Sequence, residues 1–371
     1  MHDRRFARKF SPPTGPRTIT SGHEEFIGLS DTAALLQALR ELPDMRDLQA
    51  GDLAAMTAKG VHHAHYRVRG KGLALRVPLQ TPWSGDAATQ LAGEAAAFER
   101  AAPSDATPRL AAMLRPTPIL PRGALLVEEI VGRVPRLPQD LPAIADALAR
   151  LHGLRLPPTQ ERPPLPDHGE LGPVLETLRF IMDQRTFIPA VPLALATRDA
   201  LNNEFAWVQR YGFGLGEEPQ PLALVGTDTH PGNFVIRPDG SAVLVDLERV
   251  CYGSPAIDLA HATLLTSTTW DLEVQAVLER ADVEGFYRRY LGAVGTERAA
   301  ALRPTLLPAR RLTWLRTMMW AVRWRALAER NGLAIDPQLA GHIRRRLDDF
   351  FAPATVARVR AEWLQEPPLR I

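Results

Sequence analysis

Residues 224–261 read LVGTDTHPGNFVIRPDGSAVLVDLERVCYGSPAIDLAH, and within them Asp228, Asn233 and Asp246 stand five and then thirteen positions apart. An apolar stretch at 222–225 runs into Gly226-Thr227-Asp228, which offers Asp228 from a loop, where its carboxylate can take the proton of an attacking hydroxyl. The five-residue step to Asn233 closes a Pro-Gly loop that returns an amide oxygen to the same cavity. Two β-rich segments follow, FVIRP and AVLVD, joined by a turn at Asp239-Gly240. The spacing predicts a hairpin that delivers Asp246 beside Asn233. Two hard oxygen donors from different strands suit Mg²⁺ on nucleotide phosphates, because this ion favours oxygen ligands and keeps positions open for phosphate and water.

The run resembles the aminoglycoside phosphotransferase and choline kinase-like superfamily, small-molecule kinases with a protein kinase-like fold. The family's catalytic loop reads His-Gly-Asp-Leu-His-Pro-Gly-Asn, and Gly226-Thr227-Asp228-Thr229-His230-Pro231-Gly232-Asn233 stands in its place. The first His, which braces the loop in the family, is replaced by Gly226. Asp246-Leu247-Glu248-Arg249 matches the metal-binding Asp and the residues after it. Gly253 to Ala260 matches a Gly-Asp-Pro-Ala-x-Asp-Leu-Ala segment, which implies that Asp258 is a buried brace beneath the loop. The alternative for the whole run is a hairpin with surface acids followed by a helix N-terminus.

The resemblance implies an α+β, two-lobed architecture: a small antiparallel-sheet N-lobe that grips the nucleotide, residues 29–131, and a mainly helical C-lobe, residues 132–371. It implies ATP and Mg²⁺ as cofactors, with Asp228 catalytic and Asn233 and Asp246 on the metal. Leu73-Ala74-Leu75-Arg76-Val77 alternates like a half-buried strand and lines up with the Val-Ala-Ile-Lys pattern, so Arg76 takes the place of the phosphate-binding lysine. Its planar fork of donors suits two phosphate oxygens, although it is not a neutral swap for an ammonium. The chain has three lysines, Lys9, Lys59 and Lys71. Lys71 is the weaker candidate because Arg69 to Gly72 reads as the turn before that strand. Glu94, in the helix-forming stretch 86–100, is the expected partner of Arg76, with Glu99 as the rival. Glu128-Glu129-Ile130 resembles the hinge, whose Glu128 carbonyl and Ile130 amide would meet the adenine. The loop over the phosphates, around Gly60, is the poorest match: His62 and His63 replace a small polar pair and are read either as phosphate donors or as a solvated loop. With His65 they also raise a transition-metal alternative.

Composition sets further bounds. The chain has 371 residues, enough for two lobes, and its formal charge of +2 gives no strong case for nucleic acid. A single cysteine, Cys251, excludes an intrachain disulfide framework and suits the cytoplasm. No apolar run approaches the roughly 20 residues that span a bilayer. Residues 1–28 read as a mobile extension. Ser30 or Asp31 is placed to cap a helix through Leu42. His152 reads as a structural histidine near the catalytic loop.

Eleven residues separate Asp246 from Asp258, too few for an activation segment with a peptide-docking platform, so the expected partner is a small-molecule hydroxyl acceptor. His261, Trp270, Asp271 and a helix over 311–325 are the places for its pocket. Trp314, Met318, Trp320 and Trp324 on that helix are read as core filling or as a cage for a quaternary ammonium; Arg316 and Arg323 are read as a solvated face or as partners of an anionic acceptor. A nucleotide-binding pseudokinase with a sensing role is the reading from another class, drawn from Arg76 and the altered phosphate loop. A protein kinase ranks behind both.

Overall fold

The computed structural model describes residues 32–56, 62–79, 86–168, 172–214, 221–331 and 337–371. Gly60, Lys9, Lys59 and the 1–28 extension lie outside them. The N-terminal part is a five-stranded antiparallel sheet in the order β1-β2-β3-β5-β4. Its strands are β1 Leu53–Ala55, β2 His63–Val68, β3 Leu73–Pro78, β4 Leu110–Leu114 and β5 Ala124–Glu128. Two helices cover it, α1 Thr32–Arg40 and α2 Ala87–Ala101. Asp86 caps α2 through a hydrogen bond from the Thr89 amide at 2.9 Å.

Side chains alternate across a strand, so each strand divides its residues between two faces. Tyr66, Val68, Leu75, Val77 and Leu126 pack with Leu35 and Leu39 of α1. Ala74, Leu125 and Val127 turn the other way, toward Leu91, Ala95 and Phe98 of α2. Arg76 shares the parity of Ala74 and therefore points at α2. His63 and His65 have that same parity on β2, with His65 directly opposite Arg76. The β2–β3 turn needs left-handed backbone at Gly70 and Gly72, φ 72° and 63°.

Beyond β5 the chain is mainly helical. In chain order come α3 Leu141–His152, α4 Gly172–Gln184, α5 Leu195–Gly214, α6 Pro255–Thr263, α7 Leu265–Thr268, α8 Arg280–Ala293, α9 Thr296–Asn331, α10 Pro337–Phe351 and α11 Pro353–Leu364. Two short antiparallel ribbons lie among them: β6 Ala223–Val225 pairs with β9 Cys251–Gly253, and β7 Phe234–Ile236 pairs with β8 Ala242–Leu244. The β7–β8 ribbon is tied to the first part of the chain twice, by Arg133–Ile236 backbone bonds of 3.0 and 2.8 Å and by the Leu244 amide on the Ala106 carbonyl at 2.8 Å. Gly132 permits this approach, since a Cβ there would lie 2.3 Å from the Ile236 carbonyl oxygen. One core joins α2, α3, α8 and the ribbon; another joins α4, α5, α9, α10 and α11. Among the described residues no helix is long and apolar enough to cross a membrane.

Candidate active site

The loop between β6 and β7 carries Asp228 and Asn233, and its brace is Asp258. The Asp258 carboxylate is fully buried and accepts hydrogen bonds from the amides of Gly226 and Thr227, at 2.7 and 2.8 Å. His152 Nε2 lies 3.0 Å from the same carboxylate, and its Nδ1 lies 2.9 Å from the Tyr290 hydroxyl. Thr229 Oγ1 donates to the Asp258 carbonyl at 2.8 Å. The loop is thus held from beneath without the family's first histidine. At Gly226 there is no room for one: a Cβ would meet Thr229 Cγ2 at 2.8 Å and Leu244 Cδ2 at 2.9 Å.

Asn233 Nδ2 donates to the Asp228 carbonyl at 2.8 Å, which fixes the amide with its oxygen as the remaining acceptor. The Val245 amide donates to the Asn233 carbonyl at 2.9 Å, so the ribbon brings Asp246 next to Asn233. A carboxylate and an amide oxygen at this junction are the donor types Mg²⁺ prefers, and two protein ligands leave positions for phosphates and water. Among the described residues no group of three or more His, Cys, Asp or Glu is arranged to hold a metal.

Arg76 reaches this junction from β3. Its Nη2 donates to Asp246 Oδ1 at 2.6 Å, and its Nε lies 3.8 Å from Glu94 Oε2. Lys71 instead donates to the Asp44 carbonyl at 2.8 Å, on the exposed turn. Glu99 and Glu94 occupy one helix, but the carboxylate beside Arg76 belongs to Glu94. The two histidines have partners of their own. His63, the first residue of β2, is buried with Nε2 3.1 Å from Glu94 and Nδ1 3.2 Å from Glu248. His62 Nδ1 lies 3.0 Å from Glu248. His63 is therefore a strand residue between two acids and not part of a solvated loop. Glu248 joins this network unforeseen in the sequence; it stands two residues after Asp246, the interval that puts two side chains on one side of an extended chain.

Burial and Arg76 both push the His63 imidazole toward neutrality, but Glu248 and Glu94 outweigh them and its pKa is raised. His65, half-buried beside Arg76 and His63, is pushed down to about 3 by desolvation and those two groups. Burial opposes ionisation of Glu94, yet His63 and Arg76 hold it below the usual carboxylate range. At the loop, burial works to raise Asp228, and His230, His261 and Arg249 more than cancel it, so this acid is ionised. His261 Nδ1 lies 3.8 Å from Asp228 Oδ1 and makes no hydrogen bond. Burial drives His261 down to about 4 against the pull of Asp228.

At the segment expected to form the hinge, the Glu129 amide donates to the Gly72 carbonyl at 2.9 Å, and Glu128 Oε1 lies 3.4 Å from Arg237. Ile130 follows directly in the chain. Of the residues named for an acceptor pocket, His261 lies beside Asp228. Asp271 abuts the loop, where a Cβ on Gly232 would fall 2.5 Å from its Oδ2. Trp314 and Met318 are buried in the second core, and Trp270, Trp320 and Trp324 pack against it, so core filling accounts for these aromatics.

Residues 57–302 match the phosphotransferase enzyme family described under the short name APH. The chain belongs to this family. No curated protein matches the chain in sequence. Solved structures share its fold: an ethanolamine kinase from Plasmodium vivax, 14% identical over 88% of this chain and 89% of that one, has a TM-score of 0.54. A choline kinase from Cryptosporidium parvum, 11% identical over 87% and 95%, also scores 0.54. The GDP complex of wild-type aminoglycoside 2'-phosphotransferase-IIIa, 13% identical over 87% and 99%, scores 0.52. For the APH-family chain these likenesses establish a kinase-like fold, with a five-stranded antiparallel sheet followed by a mostly helical part.

Proposed function

We propose that this chain transfers the γ-phosphoryl group of ATP to a hydroxyl of a small molecule. The observation that supports the reading is a chain of contacts: Asn233 Nδ2 on the Asp228 carbonyl, the Val245 amide on the Asn233 carbonyl, and Arg76 from the sheet on Asp246, the residue after Val245. The acceptor oxygen bonds to the γ-phosphorus as the bond from that phosphorus to the β,γ-bridging oxygen breaks. The hydroxyl proton passes to the Asp228 carboxylate, and ADP leaves. Asp228 is ionised and fixed by the braced loop, so its main work is orientation, with proton acceptance late in the transfer. Asn233 and Asp246 would hold Mg²⁺, which supplies charge neutralisation on the phosphates. Arg76, positioned by Glu94, would pair with phosphate oxygens, and the Glu128 carbonyl and Ile130 amide would meet the base. His62 and His63 would act on phosphate through Arg76 and Glu248; Gly60, outside the described residues, is proposed for the same phosphates from its place in the sequence.

The segment between Asp246 and α6 supports a small acceptor. It is taken up by β9, whose Cys251 pairs with Val225 and whose Gly253 pairs with Ala223. That leaves no room there for a peptide platform. The test is a coupled ADP-release screen with MgATP across amino alcohols, sugars, aminoglycosides and hydroxy acids, alongside thermal shift. Acceptor-dependent ADP release is expected. Nucleotide stabilisation with no turnover on any hydroxyl compound would instead favour a pseudokinase that senses or scaffolds.

A further inference from the structure

Helix α6 carries two side chains that bear on the loop holding Asp228. Asp258 accepts from the Gly226 and Thr227 amides at 2.7 and 2.8 Å, and His261, three residues on and so on the same side of the helix, stands beside Asp228 itself. The helix is a fixed platform. Ala256 and Leu259 are buried in one core and Ala260 in the other, and the buried Arg310 guanidinium ties the helix end through Thr263 Oγ1 at 2.6 Å.

His261 Nδ1 is buried and has no hydrogen-bond partner. A buried polar nitrogen is ordinarily paired, and one closed off from solvent depends on a protein atom for its partner. The neighbouring His230 does not serve: the ring centroids are 6.2 Å apart, and His230 Nδ1 is likewise buried without a partner. Asp258 is taken up by the two amides and His152. There remains Asp228, whose Oδ1 lies 3.8 Å from His261 Nδ1. Among the described residues no other basic side chain comes within ion-pair distance of this carboxylate, which is a third exposed and so has room to turn. Closing the gap to hydrogen-bond length takes about 1 Å.

We propose that His261 is a positioning residue for phosphoryl transfer: with nucleotide and acceptor bound, its Nδ1–H donates to Asp228 Oδ1, which leaves Oδ2 directed at the acceptor hydroxyl. This deepens the phosphotransfer reading and rests on it. Hydrogen bonds of reacting groups are commonly long in a free enzyme and tighten when substrates are bound. An ionised carboxylate only accepts, so the proton of the pair belongs to the imidazole, and a neutral ring supplies it from Nδ1. His261 keeps that proton throughout. The hydroxyl proton passes to Asp228 as the acceptor oxygen bonds to the γ-phosphorus and ADP leaves.

The experiment measures ADP release from MgATP, first with water as the acceptor and then with the hydroxyl compound that turns over fastest in the screen above. The proteins are the parent, His261→Ala, His261→Asn, His261→Gln, Asp228→Asn and the double variant Asp228→Asn/His261→Ala. His261→Ala should lower kcat by roughly tenfold or more, the worth of one hydrogen bond to a charged group, with the KM for MgATP and the MgATP thermal shift as in the parent. His261→Asn, whose amide nitrogen falls close to the place of Nδ1, should recover part of the rate. His261→Gln, whose amide reaches toward the place of Nε2, should not. In the Asp228→Asn background His261→Ala should cost little further, because the residue acts through Asp228, whereas mere support of the fold would lower the rate in both backgrounds. Should His261→Ala not fold, or Asp228→Asn be too slow to subdivide, the Asn and Gln variants decide. The proposal is overturned if His261→Ala keeps the parent kcat, if its loss is the same with and without the Asp228 carboxylate, or if Gln recovers the rate better than Asn. In those outcomes phosphotransfer still stands, since the parent releases ADP and Asp228→Asn releases far less. A parent protein that releases no ADP with water or with any hydroxyl compound would remove both readings.

Discussion

Arg76 and Asp246, 170 positions apart, meet with Nη2 2.6 Å from Oδ1, so the strand of the sheet and the end of the β7–β8 ribbon are joined by a charged hydrogen bond. Arg76 is almost wholly buried, and its Nε has no hydrogen-bond partner. The guanidinium is compensated by Asp246, Glu94 and Glu248 against its own burial. In the proposed function a nucleotide arriving with Mg²⁺ would bring both a new anion for Arg76 and a new cation for Asp246, so the pair could part without leaving either charge unmatched.

Arg76→Lys should keep measurable turnover, because the charge and much of the reach remain. Arg76→Ala should lose nucleotide affinity or turnover severely and also destabilise the fold, by about 3–5 kcal/mol, the range for removing one member of a buried ion pair. Lys71→Ala should behave as the parent, since Lys71 holds only the Asp44 carbonyl at an exposed turn. Turnover and thermal shift with MgATP check all three; an inactive Lys71→Ala beside an active Arg76→Ala would reverse the assignment.

Asp228→Asn removes the proposed proton acceptor and leaves the groups proposed for phosphate and metal in place. MgATP should still raise the melting temperature, while turnover falls at least about a hundredfold, the low end for loss of a general base. Asp246→Asn should instead lower both turnover and the magnesium-dependent part of the nucleotide shift. Thermal shift with ATP, with and without Mg²⁺, separates the two; near-full turnover of Asp228→Asn would end the division of labour.

The loop and ribbon that carry Asp228, Asn233 and Asp246 were legible because they come from one continuous run with tight spacing. The Arg76 strand was legible by alternation, which also fixed the face it shares with Ala74. Other features depend on contacts between distant segments. Neither β1 nor β4 has a strong periodicity, and each becomes a strand by pairing with β2 or β5. The helix expected over 311–325 is the later part of α9, which begins at Thr296 and runs through Pro304 and Pro308. Interior prolines ordinarily argue for a helix end, and here packing of α9 against its neighbours overrides that local signal. The partners of His62 and His63 were hidden because Glu248 lies 186 and 185 positions away in the chain.

The loop brace offers a test of backbone strain. Thr227 adopts φ 58°, a left-handed conformation costly for a β-branched residue, and its hydroxyl holds the Arg249 carbonyl at 2.9 Å. Thr227→Ala loses that bond and keeps most of the strain, so it should destabilise by about 1 kcal/mol. Thr227→Gly loses the bond and relieves the strain, so it should lie closer to the parent. Asp258→Ala should be far worse, about 3–5 kcal/mol, because two buried amides and His152 lose their acceptor. Gly226→His should not restore a family-like brace but should destabilise through the contacts a Cβ would make. Urea unfolding ranks the four; a Thr227→Gly variant weaker than Thr227→Ala would refute the strain argument.

Acid sensitivity follows from the neutral histidines. His261 falls from the ordinary 6.5 to about 4 in the folded protein, mainly through burial. Between those values the unfolded chain binds a proton at this site and the folded chain does not, so folding stability rises with pH across the window and is lost on acidification. One proton contributes about 1.4 kcal/mol per pH unit, and the full shift is worth about 3 kcal/mol. His65, held at about 3, acts in the same direction and extends the loss to lower pH. Asp228 and Glu94, both held below their ordinary values, add stability that disappears as pH falls through the carboxylate range. His63 works the other way: its pKa is raised, so its contribution is complete below 6.5 and fades as pH climbs through the raised value. The parent protein should therefore lose stability steeply from about pH 6 to 4, and His261→Gln should flatten that slope by up to one proton's worth. Unfolding free energies of both proteins at half-unit steps from pH 4 to 8 give the comparison. Parallel curves below pH 6.5 would mean that His261 is protonated in the folded state and that burial does not govern it.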